Sequence, residues 1–188
     1  MDLLESIRTF YDIDQESYGL LTSAFIIKTF SRGTYLVQPG QIQRNFFFVK
    51  KGIQMAYFDT GEKQHVINFT YAPFPCAIPG SFMLQQPSTY YLKCLTDSEL
   101  YSISYETLQQ LFEKSQKIER LFRKMTEILL IGTLNRHIEL HSLTIEEQFK
   151  IFTQRSPHLL QQIPHKYIAS YLGIDPTNFS KLFNSIKI

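Results

Sequence analysis

The side chains best suited to reading another molecule lie near the C-terminus, in the stretch PHKYIASYLGIDPTNFSKLFNSI from Pro164 to Ile186. The spacing predicts a helix from about His165 to Leu172, with Ile168, Ala169 and Leu172 on one apolar stripe. Gly173 ends it by accepting a positive φ, and Asp175 followed by Pro176 supplies an N-cap acceptor and a first-turn proline for a second helix. That helix turns Phe179, Leu182, Phe183 and Ile186 inward and leaves Thr177, Asn178, Ser180, Lys181 and Asn184 outward. The outward set consists of donors and acceptors of a length suited to base edges in a major groove about 12 Å wide. The same spacing also fits an ordinary helical hairpin closing a small domain.

Other reactive groups are sparse. Serines, histidines and carboxylates fall in no nucleophile-elbow or other catalytic spacing, so an enzyme is not expected. His137 and His141 stand four apart and could grip a metal from one helix face, but no third ligand accompanies them and they read as solvent-facing. Cys76 and Cys94 lack CxxC spacing; inert buried thiols are favoured over a redox pair, which would need the fold to join them. Neither a metal nor a cofactor is expected.

The elements that must position the C-terminal stretch change character along the chain. Residues 2–21 read as one or two short amphipathic helices with Leu3, Leu4, Ile7, Phe10 and Tyr11 on one face and Asp14 as a cap. From Ala24 to Ser104, short apolar runs such as AFIIKTF, TYLVQ, NFFFVK, IQMAYF and QHVINFT are divided by glycine turns, which predicts seven or more strands in an antiparallel jelly roll. Such a roll could bind sugar, hold a cupin metal or sense a ligand; with His65 as its lone histidine, it lacks a cupin's ligand set. Residues 105–141 form the longest helical pattern, capped by Ser104, with a short first helix through Phe112. Ile118, Leu121, Met125, Ile128 and Gly132 then recur at steps of 3 and 4, a coiled-coil seam or a face packed on the roll. Thr144 with Glu147 is a capping box for a further helix through Gln154.

At 188 residues, 44% hydrophobic and 19% charged, the composition is that of a folded globular chain of one or two domains rather than a disordered one. The net charge of +2 is too mild to announce nucleic-acid binding, although Lys166, Lys181 and Lys187 face only Asp175 from His165 onward. Charges interrupt Met1 to Tyr18, so no signal peptide is read there. No apolar run approaches the roughly 18 residues of a membrane span. A reduced, cytoplasmic protein is expected.

The residues IPHKYIASYLGIDPTNFSKL resemble the helix-turn-helix of the Crp/Fnr family of bacterial transcription regulators, in particular short members without a C-terminal β-wing. Pro176 and Thr177 fall at that family's Arg-Glu pair, and Ser180 and Lys181 at its Ser-Arg pair; only Ser180 is unchanged. Upstream, LVQPGQIQRNFFFVKKGIQMAYF and CLTDSELYSISYETLQQLF resemble the family's cyclic-nucleotide-binding roll. The resemblance implies an α+β protein with a jelly-roll sensory domain (1–113), a dimerisation helix (114–141) carrying the seam above, and a helix-turn-helix DNA-binding domain (142–188). It implies a homodimer on double-stranded DNA, with RNA polymerase as a further partner and no membrane. Thr177, Asn178, Ser180 and Lys181 would meet DNA, with His165, Lys166 and Tyr167 near its backbone. The alternative is an effector-binding or protein-interaction module whose helix-turn-helix no longer functions.

In that family an Arg-Ser/Thr pair holds the cyclic phosphate and a Gly-Glu pair the ribose. Here Ser88 stands at the arginine with Thr89 beside it, Ala77-Ile78 lie near the Gly-Glu pair, and 70–90 contains no arginine or carboxylate. A buried phosphate without a charged partner is costly to desolvate, which argues against cyclic AMP. Phe82, Met83, Ser88, Thr89, Tyr90 and Tyr91 instead suggest a pocket for an uncharged or aromatic small molecule, or side chains that simply fill the roll.

Overall fold

The computed structural model describes residues 3–185; Asp2, Ile186 and Lys187 lie outside them. Two short helices, α1 (Leu3–Arg8) and α2 (Gln15–Ser23), precede the strands β1 (Ile26–Phe30), β2 (Tyr35–Val37), β3 (Asn45–Lys51), β4 (Ile53–Asp59), β5 (Gln64–Tyr71) and β6 (Pro75–Cys76). Helix α3 (Pro79–Leu84) leads to β7 (Tyr91–Cys94) and β8 (Ser98–Ser104). Six helices follow: α4 (Tyr105–Lys114), α5 (Gln116–Ser142), α6 (Ile145–Arg155), α7 (Leu159–Gln162), α8 (His165–Leu172) and α9 (Pro176–Ser185).

The strands form two four-stranded antiparallel sheets, in the orders β1-β8-β3-β6 and β2-β7-β4-β5. This is the jelly roll that the turn spacing predicts. Gly52, at φ +97°, makes the reversal from β3 to β4; a side chain there would collide with Ser98 Oγ and the Asp97 carbonyl.

Strands buried on both faces read as nearly continuous apolar runs, and NFFFVK and IQMAYF are explained this way. Phe47 and Val49 of β3 meet Ala56, Leu92 and Leu100 between the sheets. On the other face of β3, Phe46 and Phe48 pack with Leu108, Leu111, Ile118, Leu121, Phe122 and Met125 of α4 and α5. On the outer face of the second sheet, Ile53, Met55, Tyr57, Val66 and Phe69 share one core with Phe149, Phe152, Ile168, Leu172 and Phe179. The roll is thus clad in helices on both sides.

Side-chain caps set the helix starts. Asp14 accepts from Ser17 N at 2.9 Å and pairs with Lys117 Nζ at 2.6 Å; chiefly this hydrogen bond from Lys117 draws its carboxyl down to about 2 and ties α2 to α5. Ser104 caps α4, Ser115 separates α4 from α5, and Thr144 with Glu147 completes the capping box of α6.

The apolar stripe of α5 divides differently from the seam read in the sequence. Ile118, Leu121 and Met125 are fully enclosed against the chain's own roll, so they are core side chains in this structure. Ile128 and Gly132 are exposed. Beyond Met125 the helix continues past the roll, and Ile131, Leu134 and Ile138 stand 57%, 55% and 59% exposed, a larger apolar stripe than an isolated helix would leave in water.

Candidate nucleic-acid interface and effector cavity

Helices α8 and α9 form the helix-turn-helix. Ile168, Ala169 and Leu172 are buried, Gly173 takes φ +70° and Ile174 N returns to the Ala169 carbonyl at 2.9 Å. Asp175 Oδ1 accepts from Thr177 N at 2.8 Å, a bond that holds its carboxyl below the usual carboxylate range. Phe179 is the buried anchor of α9, and Leu182 and Phe183 are half-buried beside it. Thr177, Asn178, Ser180, Lys181 and Asn184 are all exposed. Ser180 Oγ spends its proton on the Pro176 carbonyl at 3.1 Å, leaving its lone pairs outward.

Residues expected near a DNA backbone divide. Lys166 is exposed with its ammonium 5.1 Å from the Tyr167 ring centre, and Tyr167 is half-buried. His165 is not directed outward. Its ring lies 4.5 Å from Phe183 and 5.4 Å from Phe179, with Nε2 3.0 Å from the Leu160 carbonyl, so it packs the reading unit from within.

The unit is fastened to the rest of the chain by contacts that spacing alone does not disclose. Ser170 Oγ donates to the Gln64 carbonyl at 2.7 Å and accepts from Val66 N at 3.0 Å, covering the free edge of β5. Tyr71 and Ser156 hydroxyls lie 2.6 Å apart. From α5, Arg136 donates to the Tyr171 carbonyl at 2.8 Å and lies 4.4 Å over its ring, while Glu139 holds Arg136 at 3.1 Å and Arg155 at 3.3 Å. The sequence signal was slight: Arg136 and Glu139 look like a solvated last turn.

The six residues expected around an effector do not converge. Phe82 and Met83 line a cavity of about 310 Å³ with Phe46, Tyr105, Phe112 and Phe122, between α3, α4 and α5, and Glu119 and Arg123 also line it. Ser88 is buried and bonds within its own turn, to Tyr90 N at 2.9 Å and Tyr90 O at 2.8 Å. Thr89 and Tyr90 are exposed. Strand alternation sends Leu92 and Cys94 into the roll and Tyr91 outward, where it stacks on Tyr57 at 4.7 Å.

Cys76 and Cys94 are free and buried, and desolvation pushes both thiols up, away from reactivity. His65 is exposed. Among the described residues of one chain, no three potential ligands come together to hold a metal, and no helix is long and apolar enough to cross a membrane.

His158 supplies a pH test of the packing between roll and C-terminal helices. Its ring meets Tyr71 edge-on at 4.4 Å, and burial lowers its pKa from the ordinary value. The unfolded chain therefore takes the proton first, near pH 6.5, and stability falls as pH drops through the window between that value and the lower folded pKa. Urea unfolding at pH 7.5 and 5.5 should show this loss, and His158→Asn should flatten it.

A roll clad by a long helix that leads into a helix-turn-helix is the architecture of the Crp/Fnr transcription regulators. Residues 27–115 match the cyclic nucleotide-binding domain family. Similar solved structures include FixK2 from Bradyrhizobium japonicum, at 12% identity and a TM-score of 0.76 over 86% of this chain and 83% of that one. The c-di-GMP-responsive global regulator CLP from Xanthomonas campestris aligns at 18% identity and a TM-score of 0.67 over 92% and 91% of the two chains. The catabolite activator protein of Thermus thermophilus aligns at 16% and 0.60 over 96% and 85%. No curated protein sequence matches the chain.

Proposed function

We propose that the protein is a one-component, DNA-binding transcription regulator of the Crp/Fnr type, acting as a cytoplasmic homodimer without catalysis. In this reading the roll (1–113) senses, the helix over 114–141 dimerises and residues 142–188 read DNA. The observation that carries it is the polar ridge of α9: Thr177, Asn178, Ser180 and Lys181 project from a helix whose other face is fixed by Phe179, and none is covered by the chain's own body. Two such helices, related by a dimer axis, would enter major grooves about 34 Å apart on a palindromic site. Lys181 and Thr177 meet base edges, Asn178 and Ser180 base or phosphate, and Lys166 and Tyr167 the backbone. RNA polymerase is the further partner such a regulator would address.

The effector is not cyclic AMP in this reading. The loop that carries Ser88 contributes no arginine to meet a phosphate, the nearby Arg44 guanidinium is engaged by Gln85 Oε1 at 2.9 Å, and Phe82 packs onto Phe46 at 5.4 Å. The cavity walled by Phe82, Met83 and Phe122 suits an uncharged or aromatic small molecule. Similar structures include a c-di-GMP-responsive regulator and a cAMP-bound PfPKA-R, so the fold alone does not choose an effector.

A gel shift with the DNA upstream of the protein's own gene tests the proposal. Sequence-selective retardation is expected. Lys181→Ala should weaken it by about 1–3 kcal/mol and relax base preference at the contacted position. Retardation without selectivity, unaltered by the substitution, would favour an interaction module with a silent helix-turn-helix, a reading prompted by Pro176, Thr177 and Lys181 standing where relatives carry Arg, Glu and Arg.

A further inference from the structure

We propose that His137 and His141 of α5, joined by the same pair from a second copy of the chain, form a four-imidazole zinc site at the C-terminal end of the dimerisation helix. The inference rests on the homodimer reading above.

The two rings lie 4.4 Å apart between centroids and are both exposed, so both imidazoles are open to a ligand on one side of the helix. Histidines at i and i+4 are the spacing by which one helix presents two nitrogens to one metal. His141 also continues the exposed stripe: Ile131, Leu134, Ile138 and His141 follow one another at steps of 3, 4 and 3, the alternation of a two-stranded seam. When two α5 helices pair in parallel along this stripe, each histidine pair faces its symmetry mate across the axis.

One chain supplies two ligands and no third among its described residues, whereas zinc takes four, most often in a tetrahedron. An all-imidazole set suits zinc, copper or nickel, and zinc alone among these imposes no tetragonal preference. Neighbouring charged groups leave the site clear. Arg136 is drawn to Tyr171 and Glu139, and Glu139 is shared between Arg136 and Arg155. Helix α6 follows within three residues, and Arg136 and Glu139 of the same turns hold Tyr171 of α8 and Arg155 of α6, so a metal here would pin the two reading units at a fixed separation.

The test uses the full chain stripped with EDTA and titrated with zinc chloride, with metal binding followed by calorimetry and association by sedimentation. One zinc per two chains is expected, and at free zinc of about 100 times its Kd the dimer should dissociate about 100-fold less readily. His137→Asn with His141→Asn should abolish both effects. A chain that becomes dimeric only with zinc supports the site equally. A chain that is dimeric in EDTA but binds no zinc, binds one zinc per chain, or binds it as well after the double substitution, overturns the site and leaves the dimer standing. A chain that is monomeric with and without zinc overturns both.

Discussion

Phe149→Ala is expected to remove about 3–5 kcal/mol of stability and to loosen α6, α8 and α9 from the roll in one step. Phe149 has no exposed surface and meets Phe179 edge-on at 5.5 Å. Its cluster runs unbroken from Ile53, Met55, Tyr57 and Phe69 of the second sheet to Phe152, Ile168, Leu172 and Phe179. A void at this point withdraws contacts from strands and helices at once. The strands cannot relax into it, because the opposite face of β4 is already packed between the sheets. Urea unfolding gives the size of the loss, and hydrogen exchange should quicken across α8 and α9 together. A loss below about 1 kcal/mol, the ordinary size for a point substitution, would mean that this cluster does not hold the C-terminal helices.

The second large effect concerns association. Ile131→Lys combined with Ile138→Lys should yield a folded monomer that no longer retards DNA. Burying each such side chain contributes roughly 1.5–3 kcal/mol, and each substitution counts twice across a two-fold axis. Because both positions lie outside the chain's own core, the circular dichroism spectrum and melting temperature of the monomer unit should barely change. Ile118→Lys, at a position with no exposed surface, should prevent folding instead. Sedimentation at micromolar concentration distinguishes these outcomes, and a double variant that stays dimeric removes this stripe from the interface.

Much of the architecture was legible because it rests on local rules. The glycine turns, the caps at Asp14, Ser104 and Thr144, and the Gly173-Ile174-Asp175 connection each follow from conformational preferences of a few residues, and each is found in the structure. What a stripe packs against is a different kind of question. The steps of 3 and 4 through Ile118, Leu121 and Met125 are the same whether the face meets a roll or a second helix, so periodicity leaves the partner open, and in the structure these three pack on the roll.

The docking of the reading unit on the second sheet left a trace that alternation could have revealed. Ile53, Met55 and Tyr57 occupy the outward positions of β4, and three apolar side chains in a row on an outer face require a cover. Residues 82–91 are neighbours in sequence but not in space, since one step along β7 moves a side chain from one face of the sheet to the other. The place of His165 near a DNA backbone follows from the resemblance alone, and local sequence gives no sign that its ring packs against Phe179 and Phe183.

The clasp of Arg136, Glu139, Arg155 and Tyr171 joins the last turns of α5 to the reading unit with little slack. For a regulator built this way, tension in the long helix would reach α9 as in a crankshaft, without a swivel to absorb it. Signal and grip would then share a single moving part, and the distance between the two halves of an operator would be dictated by how the paired shafts are wound.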